Sequence, residues 1–283
     1  MAYAWNVLRS TVRYLLHQTG MCCSLAYRNL SPLRYRSKTT HGYSSHAAAI
    51  RIVRELGVGE VLDLGCGPGY VARALEQSGI RVTGVDAHEP LPGMMSRFSR
   101  ANLETEPVPY DIFEFGAVLL LDVIEHLAEP EQFLIGLRHA SHALPTVRPS
   151  PSFVITTPNV AFAAVRLNLL LGRFPYAERG ILDLTHKRLF TRATFRNAVT
   201  EAGYTVERCE PIGVPFEAVI EGGFGRLLGG ISQAFARLWP TMFAFQFLVV
   251  ARPRPGVRQV LAQSRVVQRG VVTLSVPQAS TPG

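Results

Sequence analysis

Val61-Leu62-Asp63-Leu64-Gly65-Cys66-Gly67-Pro68-Gly69-Tyr70 is the stretch on which the fold turns. An apolar run ends at an acid, three glycines alternate, and a helical pattern opens with Tyr70, Val71, Ala72 and Leu75. This order predicts a buried strand, a tight turn and a helix start. Glycine permits positive φ and lets a ligand approach the backbone where a Cβ would stand. The helix start adds N–H groups and partial positive charge, which suit a carboxylate or a phosphate.

Spacing separates this turn from the dinucleotide fingerprint G-x-G-x-x-G, whose third glycine lies on the helix. Here the order is Asp63-x-Gly65-x-Gly67-x-Gly69, and a second strand, Arg81 to Asp86, also ends in an acid. Both features resemble the class I S-adenosylmethionine (SAM)-dependent methyltransferases, whose first motif reads D/E-x-G-x-G-x-G. The resemblance implies an α/β fold: a Rossmann-like seven-stranded sheet, last strand antiparallel, with helices on both faces. It implies SAM as cofactor, with Asp63 and the turn Gly65, Cys66, Gly67 and Gly69 around the methionine moiety. Asp86 and Ala87 would meet the ribose, and Asn102 and Leu103 the adenine. Asp122 would sit between cofactor and acceptor. Relatives often carry an acid where this chain has Asn102, whose carbonyl can accept the same hydrogen bond without the charge.

The chain has 283 residues and a net charge of +8. Residues 1–54 hold eight arginines and lysines and no acid, so the rest of the chain is neutral. A neutral body without a basic stripe argues against nucleic acid as partner. The organisation expected is a basic N-terminal extension over 1–43, a methyltransferase domain over 44–253 and a disordered tail over 254–283. The extension reads as disordered or weakly helical, a targeting leader, or a basic amphipathic helix on a membrane. Cys22-Cys23, Cys66 and Cys209 form no disulfide framework or zinc knuckle, which suggests a reducing, cytoplasmic setting, with membrane association left open.

Further along, helices are expected over 44–56, 91–99, 131–143, 161–171, 191–202 and 227–239. The fourth strand is Ala117 to Leu121, the fifth Phe153 to Thr157, the sixth Tyr204 to Glu210 and the last Phe243 to Ala251. Two insertions result, one between the fifth and sixth strands and one before the seventh. Hydropathy from Leu227 to Ala251 is high enough to suggest a membrane span. Arg237, Pro240 and Gln246 interrupt it, so peripheral contact is the membrane reading retained.

Ligands of open α/β sheets bind outside the carboxyl ends of the strands. Asp122-Val123-Ile124-Glu125-His126 falls there. A hydroxyl acceptor must lose its proton, and His126 and His186 compete as the base, the latter with Asp183 three residues before it. Asp122-x-x-Glu125-His126 also resembles the E-x-x-E-H cluster of quinone-pathway O-methyltransferases, associated there with a divalent metal. A metal is the less favoured alternative, and no metal ligand is assigned. The 159–190 segment, with Asn159, Arg166, Asn168, Gly172, Arg173, Phe174, Gly180, Asp183, His186 and Phe190, resembles a bacterial methyltransferase group met beside sugar transferases of cell-surface glycan assembly. The acceptor expected is therefore a small molecule, a glycan or a lipid-linked intermediate. A quinone-type hydroxyl is the alternative, and a SAM-binding assembly module without catalysis is a third reading.

Overall fold

The computed structural model describes residues 42–140, 150–177, 179–218, 220 and 222–254. The basic leader with Cys22 and Cys23, most of the 145–151 loop and the C-terminal tail lie outside the described residues.

Seven strands form one sheet: β1 Glu60–Leu64, β2 Arg81–Asp86, β3 Arg97–Arg100, β4 Ala117–Leu121, β5 Ser152–Pro158, β6 Tyr204–Ile212 and β7 Gln246–Pro253. Their order is β3-β2-β1-β4-β5-β7-β6. β7 is antiparallel to both neighbours, and the other pairings are parallel. Alternation along the strands feeds two cores. Val61, Ala117 and Leu119 meet helices α1 (Ser45–Leu56) and α2 (Tyr70–Glu76) on one face. Leu62, Val118 and Leu120 meet α3 (Pro130–Ala140) and α5 (Arg192–Glu201) on the other. Ser44 caps α1 by accepting from Ala47 N–H, and Gly57 ends it in the left-handed conformation.

Two expectations need correction. Residues 91–99 are not a helix: Pro92 and Gly93 impose a turn, in which Leu91 N–H reaches Pro68 O and Met94 N–H reaches Leu91 O. The end of that segment is instead edge strand β3, paired with Thr83 to Asp86. The last strand starts at Gln246 rather than Phe243, because Pro240 opens a short helix, α7 (Pro240–Phe243), before it.

The two insertions fall where expected. The first carries α4 (Ala163–Leu170) and an irregular strap through residue 190, and the second carries α6 (Gly223–Leu238) and α7. Both leave from the carboxyl edge of the sheet, since β5 and β6 end there and antiparallel β7 begins there. Asn159 fastens them to the sheet. Fully buried, it donates from Nδ2 to Ala244 O at 2.8 Å and accepts at Oδ1 from Ala161 N–H at 3.0 Å. Asn159→Ala strands a buried carbonyl and a partly buried N–H. It should lower stability by about 2–4 kcal/mol in denaturant melts.

Candidate functional site

The glycine turn is held by its neighbours. Gly65 N–H donates to Val85 O at 2.7 Å, and Gly67 N–H donates to Asp86 Oδ2 at 2.9 Å. The other Asp86 oxygen accepts from His88 N–H at 2.9 Å, so β2 ends in a carboxylate clamped between two backbone amides. Gly65 has φ +77° and lies so close to Val123 that a Cβ would come within 2.5 Å of its side chain. Gly67 has φ +51° and open space where a Cβ would project, leaving its backbone accessible to a ligand. Cys66 is buried beside Met95 and the backbone of Gly84, and burial pushes its thiol far up, so it fills space and is no nucleophile. Gly84 is the position that the sequence reading missed: a Cβ there would lie 2.5 Å from Met95 Cε and 2.8 Å from Cys66 Sγ.

Asp63 lies under the turn, 2% exposed. Burial first, and then the charge of Asp86, push its carboxyl up to about 7. Both influences disfavour a second negative charge, and a bound cation would relieve both. SAM, whose sulfonium and ammonium groups are positive, fits this cradle on donor chemistry as well as on space.

Beyond β3, Asn102 Oδ1 accepts from Glu104 N–H at 3.0 Å, which commits its side chain to the turn. Leu103 packs partly buried against the core, and Ala87 O accepts from Arg100 Nε at 3.0 Å.

At the end of β4, Asp122 is the sole non-glycine residue with positive φ among the described residues, at +57°. Thr156 Oγ1 accepts from its N–H at 2.9 Å and donates to its Oδ1 at 2.8 Å. Gln246 Nε2 donates to the same oxygen at 2.9 Å. The clamp ties β4, β5 and β7 together, and the chain then enters a 3-10 turn, Ile124–His126.

That turn receives the strap of the first insertion. Glu125 O accepts from Lys187 N–H at 2.8 Å and from Arg188 N–H at 3.1 Å. Lys187 Nζ also meets both carboxylate oxygens of Glu104, at 2.6 and 2.7 Å. The docking brings His126 and His186 edge to face, with ring centroids 4.8 Å apart. The two candidate bases are therefore one pair.

Their tautomers follow from their partners. His186 Nδ1 lies 3.0 Å from Ile181 O, so it carries the proton and Nε2 keeps the lone pair. His126 Nδ1 faces Thr185 O at 3.2 Å and Thr185 Oγ1 at 3.1 Å. The Thr185 hydroxyl donates to Asp183 Oδ1 at 2.7 Å, so His126 Nδ1 is again the donor. The Asp183 carboxylate thus bonds toward His126 through Thr185 and reaches His186 by its charge alone, while its carbonyl accepts from His186 N–H at 3.0 Å. Burial, chiefly, holds the His186 imidazolium below its ordinary range, so the ring is neutral at pH 7.

The metal-capable grouping also differs from Asp122/Glu125/His126. Asp122 is turned to Thr156 and Gln246, and Glu125, His126 and His186 bring ligand atoms within 4.8 Å of one another. One carboxylate and two imidazoles suit a transition-type divalent ion better than Mg²⁺.

The methyltransferase-domain family model matches residues 30–208, well over half of the sequence. The chain belongs to that family. Ubiquinone biosynthesis O-methyltransferase of Maricaulis maris is 28% identical over 178 residues, covering 57% of this chain and 64% of that protein. The protein of the same name from Methylobacterium is 29% identical over 163 residues, covering 52% and 59%. The chain thus spans less than two thirds of the curated relatives it matches. A solved small-RNA methyltransferase, HEN1, superposes with a TM-score of 0.50 at 16% identity, covering 80% of this chain and 27% of that one, a likeness of fold alone.

A raised Asp63 makes the ligand-free protein pH-sensitive. The folded state holds a proton up to about pH 7 that the unfolded chain releases near pH 4. This contribution to stability is full below pH 4 and lost as pH rises through 7. Asp63→Asn should therefore gain on wild type by a few kcal/mol between pH 5 and pH 8 in melts without cofactor. The same substitution should weaken SAM binding, read by calorimetry.

Proposed function

We propose that the chain transfers the methyl group of SAM to a hydroxyl oxygen of a quinol-type aromatic ring. The observation that carries it is the His126–His186 pair, both rings fixed through Nδ1 with Nε2 as the acceptor, at the carboxyl end of β4. The names of the curated relatives favour a quinol over a sugar.

When bound, SAM supplies an electrophilic methyl with a neutral thioether as leaving group. Asp63 and Asp86 favour a cation at the glycine turn. His186 Nε2, neutral at pH 7, accepts the proton of the acceptor hydroxyl as the new oxygen–carbon bond forms. His126 packs edge to face on His186 and, held by Thr185 and Asp183, fixes where that ring sits. Asp122, held with positive φ, keeps the turn carrying Glu125 and His126 in register with the strap. Exclusion of water and alignment supply much of the remaining acceleration.

The sugar or lipid-linked acceptor suggested by the 159–190 resemblance is the second reading. Several of those residues are structural: Asn159 ties the insertions together, Asn168 Nδ2 donates to Ala164 O, and Phe190 is buried in the core. Their presence therefore says more about how the insertion folds than about what it binds.

Methyl-labelled SAM, offered with a prenylated catechol and with a glycolipid extract, tests the choice. Label in the catechol, reduced about 10²- to 10⁴-fold by His186→Gln, is expected. Label in the glycolipid alone would move the assignment to the second reading. Because His186 titrates below the ordinary histidine range, the rate should rise with pH through a point below 6.5 and stay level through neutrality. His186→Gln should remove that limb.

Glu125, His126 and His186 would hold a divalent ion if one is used, and it would lower the pKa of a bound hydroxyl. The same Nε2 atoms would then be ligands rather than bases. Under the base reading, chelator leaves the rate unchanged, and Mn²⁺ raises the melting temperature of neither wild type nor Glu125→Gln. A rate lost to chelator, with a Mn²⁺-dependent rise in wild type alone, would replace the base by the ion.

A further inference from the structure

Among the described residues, fourteen of the fifteen large hydrophobic side chains that stand exposed lie in the two insertions, between Leu167 and Leu189 and between Phe224 and Trp239. The second group is ordered. Phe224, Leu227, Ile231, Phe235 and Leu238 recur at intervals of three and four residues and form one stripe along α6.

An ordinary surface helix turns such a stripe inward, whereas α6 turns it outward. Its buried residues are Gly225, Gly229 and Ala236. A Cβ on Gly225 would overlap Ile220 O, and one on Gly229 would lie 2.6 Å from Glu217 Oε2 and 2.9 Å from Tyr43. Polar side chains complete the attachment. Ser232 Oγ accepts from Val214 N–H at 2.8 Å, while Gln233 accepts from Gly213 N–H and donates to Pro211 O. The helix is anchored to the sheet through small and polar residues, and of its apolar stripe Phe235 packs on Phe243 of α7 while Phe224, Leu227 and Leu238 stand more than half exposed.

We infer that this face of α6 docks on an anionic lipid bilayer, so that the carboxyl edge of the sheet opens toward the membrane. Charge selects the occupant. Arg226 and Arg237 are exposed on α6, and no Asp or Glu occurs from Gly222 to the last residue. An acid-free, arginine-bearing helix with an apolar stripe matches the composition of interfacial helices on anionic lipid. Trp239, 54% exposed and packed edge to face on Phe243, closes the stripe with the side chain that prefers the headgroup level. Residues 1–41 are likewise basic and acid-free, so they carry the same sign as α6 and are repelled by it. A second copy would bring another acid-free helix, which offers Arg226 and Arg237 no carboxylate.

Position gives the docking a consequence. α6 joins the carboxyl end of β6 to the start of β7, whose first residue, Gln246, holds Asp122. α4, with exposed Leu167, Leu169 and Leu170, leaves the same edge, and its Arg166 Nη2 reaches Thr241 O of α7 at 3.1 Å. An acceptor dissolved in lipid would meet the site at this edge. The docking itself does not depend on which acceptor is used.

The test is flotation of the full chain with vesicles of phosphatidylcholine, alone or mixed with phosphatidylglycerol. Flotation is expected with the anionic vesicles and should weaken as salt rises. Leu227→Ser/Leu238→Ser should cut the bound fraction roughly tenfold or more, with melting temperature and SAM binding unchanged. Arg226→Gln/Arg237→Gln should weaken binding at low salt only. In a Trp5→Phe background, Trp239 emission should shift to the blue on binding. Absence of flotation would overturn the inference. So would flotation undiminished by Leu227→Ser/Leu238→Ser, which would assign lipid binding to another segment. A self-association lost in that variant without flotation would assign the face to a second copy.

Discussion

The hydrogen-bonded clamp on Asp122 is the constraint on which the site depends. A left-handed backbone at a non-glycine residue costs on the order of 1–3 kcal/mol and persists only where the surroundings enforce it. Here a threonine hydroxyl from β5 serves both the N–H and the carboxylate of Asp122, and a glutamine from β7 reaches the same oxygen. The antiparallel course of β7 makes this possible, because it brings the first residue of the last strand to the carboxyl edge. With Asp122 fixed, the 3-10 turn presents the carbonyl of Glu125 outward, and two amides of the strap close on it. The histidine pair follows from that closure.

Electrostatics divides the edge into two regions. Around the glycine turn, Asp63 and Asp86 crowd negative charge into a buried place. Around the end of β4, burial favours a neutral His186. On the proposed function, a cationic methyl donor is drawn to the first, and a proton acceptor is kept in its working form at the second. Separating the roles lets the protein bind a cation without charging its base, because the pressure on each group comes chiefly from its own burial.

The sequence carried the first region almost completely. Asp63, the three glycines and Asp86 lie within a short span, where local pattern and spacing suffice to place strand, turn and strand. The second region was legible only in parts. His126 and His186 were found, but as rivals, because the contact joining them is made by Lys187 and Arg188 amides on a carbonyl far away in the chain, and backbone bonds leave no mark on residue choice. Asp183 was found and misdirected: its partner is Thr185, two residues on, an Asx-type turn that the Asp-x-Thr spacing could have suggested. Gln246 was noticed only as an interruption of an apolar run, although a polar side chain opening a buried strand is a signal in itself. The 91–99 segment was misread because its apolar residues were weighed above Pro92 and Gly93, and a short edge strand offers little periodicity to set against them.

The division between core and insertions also explains what each kind of comparison can reach. Residues 60–126 supply the glycine turn and the acids Asp63 and Asp86, and the family model covers them. His186, the strap and α6 belong to insertions whose fold is set by anchors such as Asn159, Gly213 and Gly229. Those anchors constrain small size and hydrogen bonding at the attachment face and leave the opposite face to vary. On α6 that outer face is apolar, acid-free and largely exposed, with Phe235 packed on Phe243. An exposed apolar stripe of this length suits contact with something else. That contact is made at the edge where the acceptor must enter.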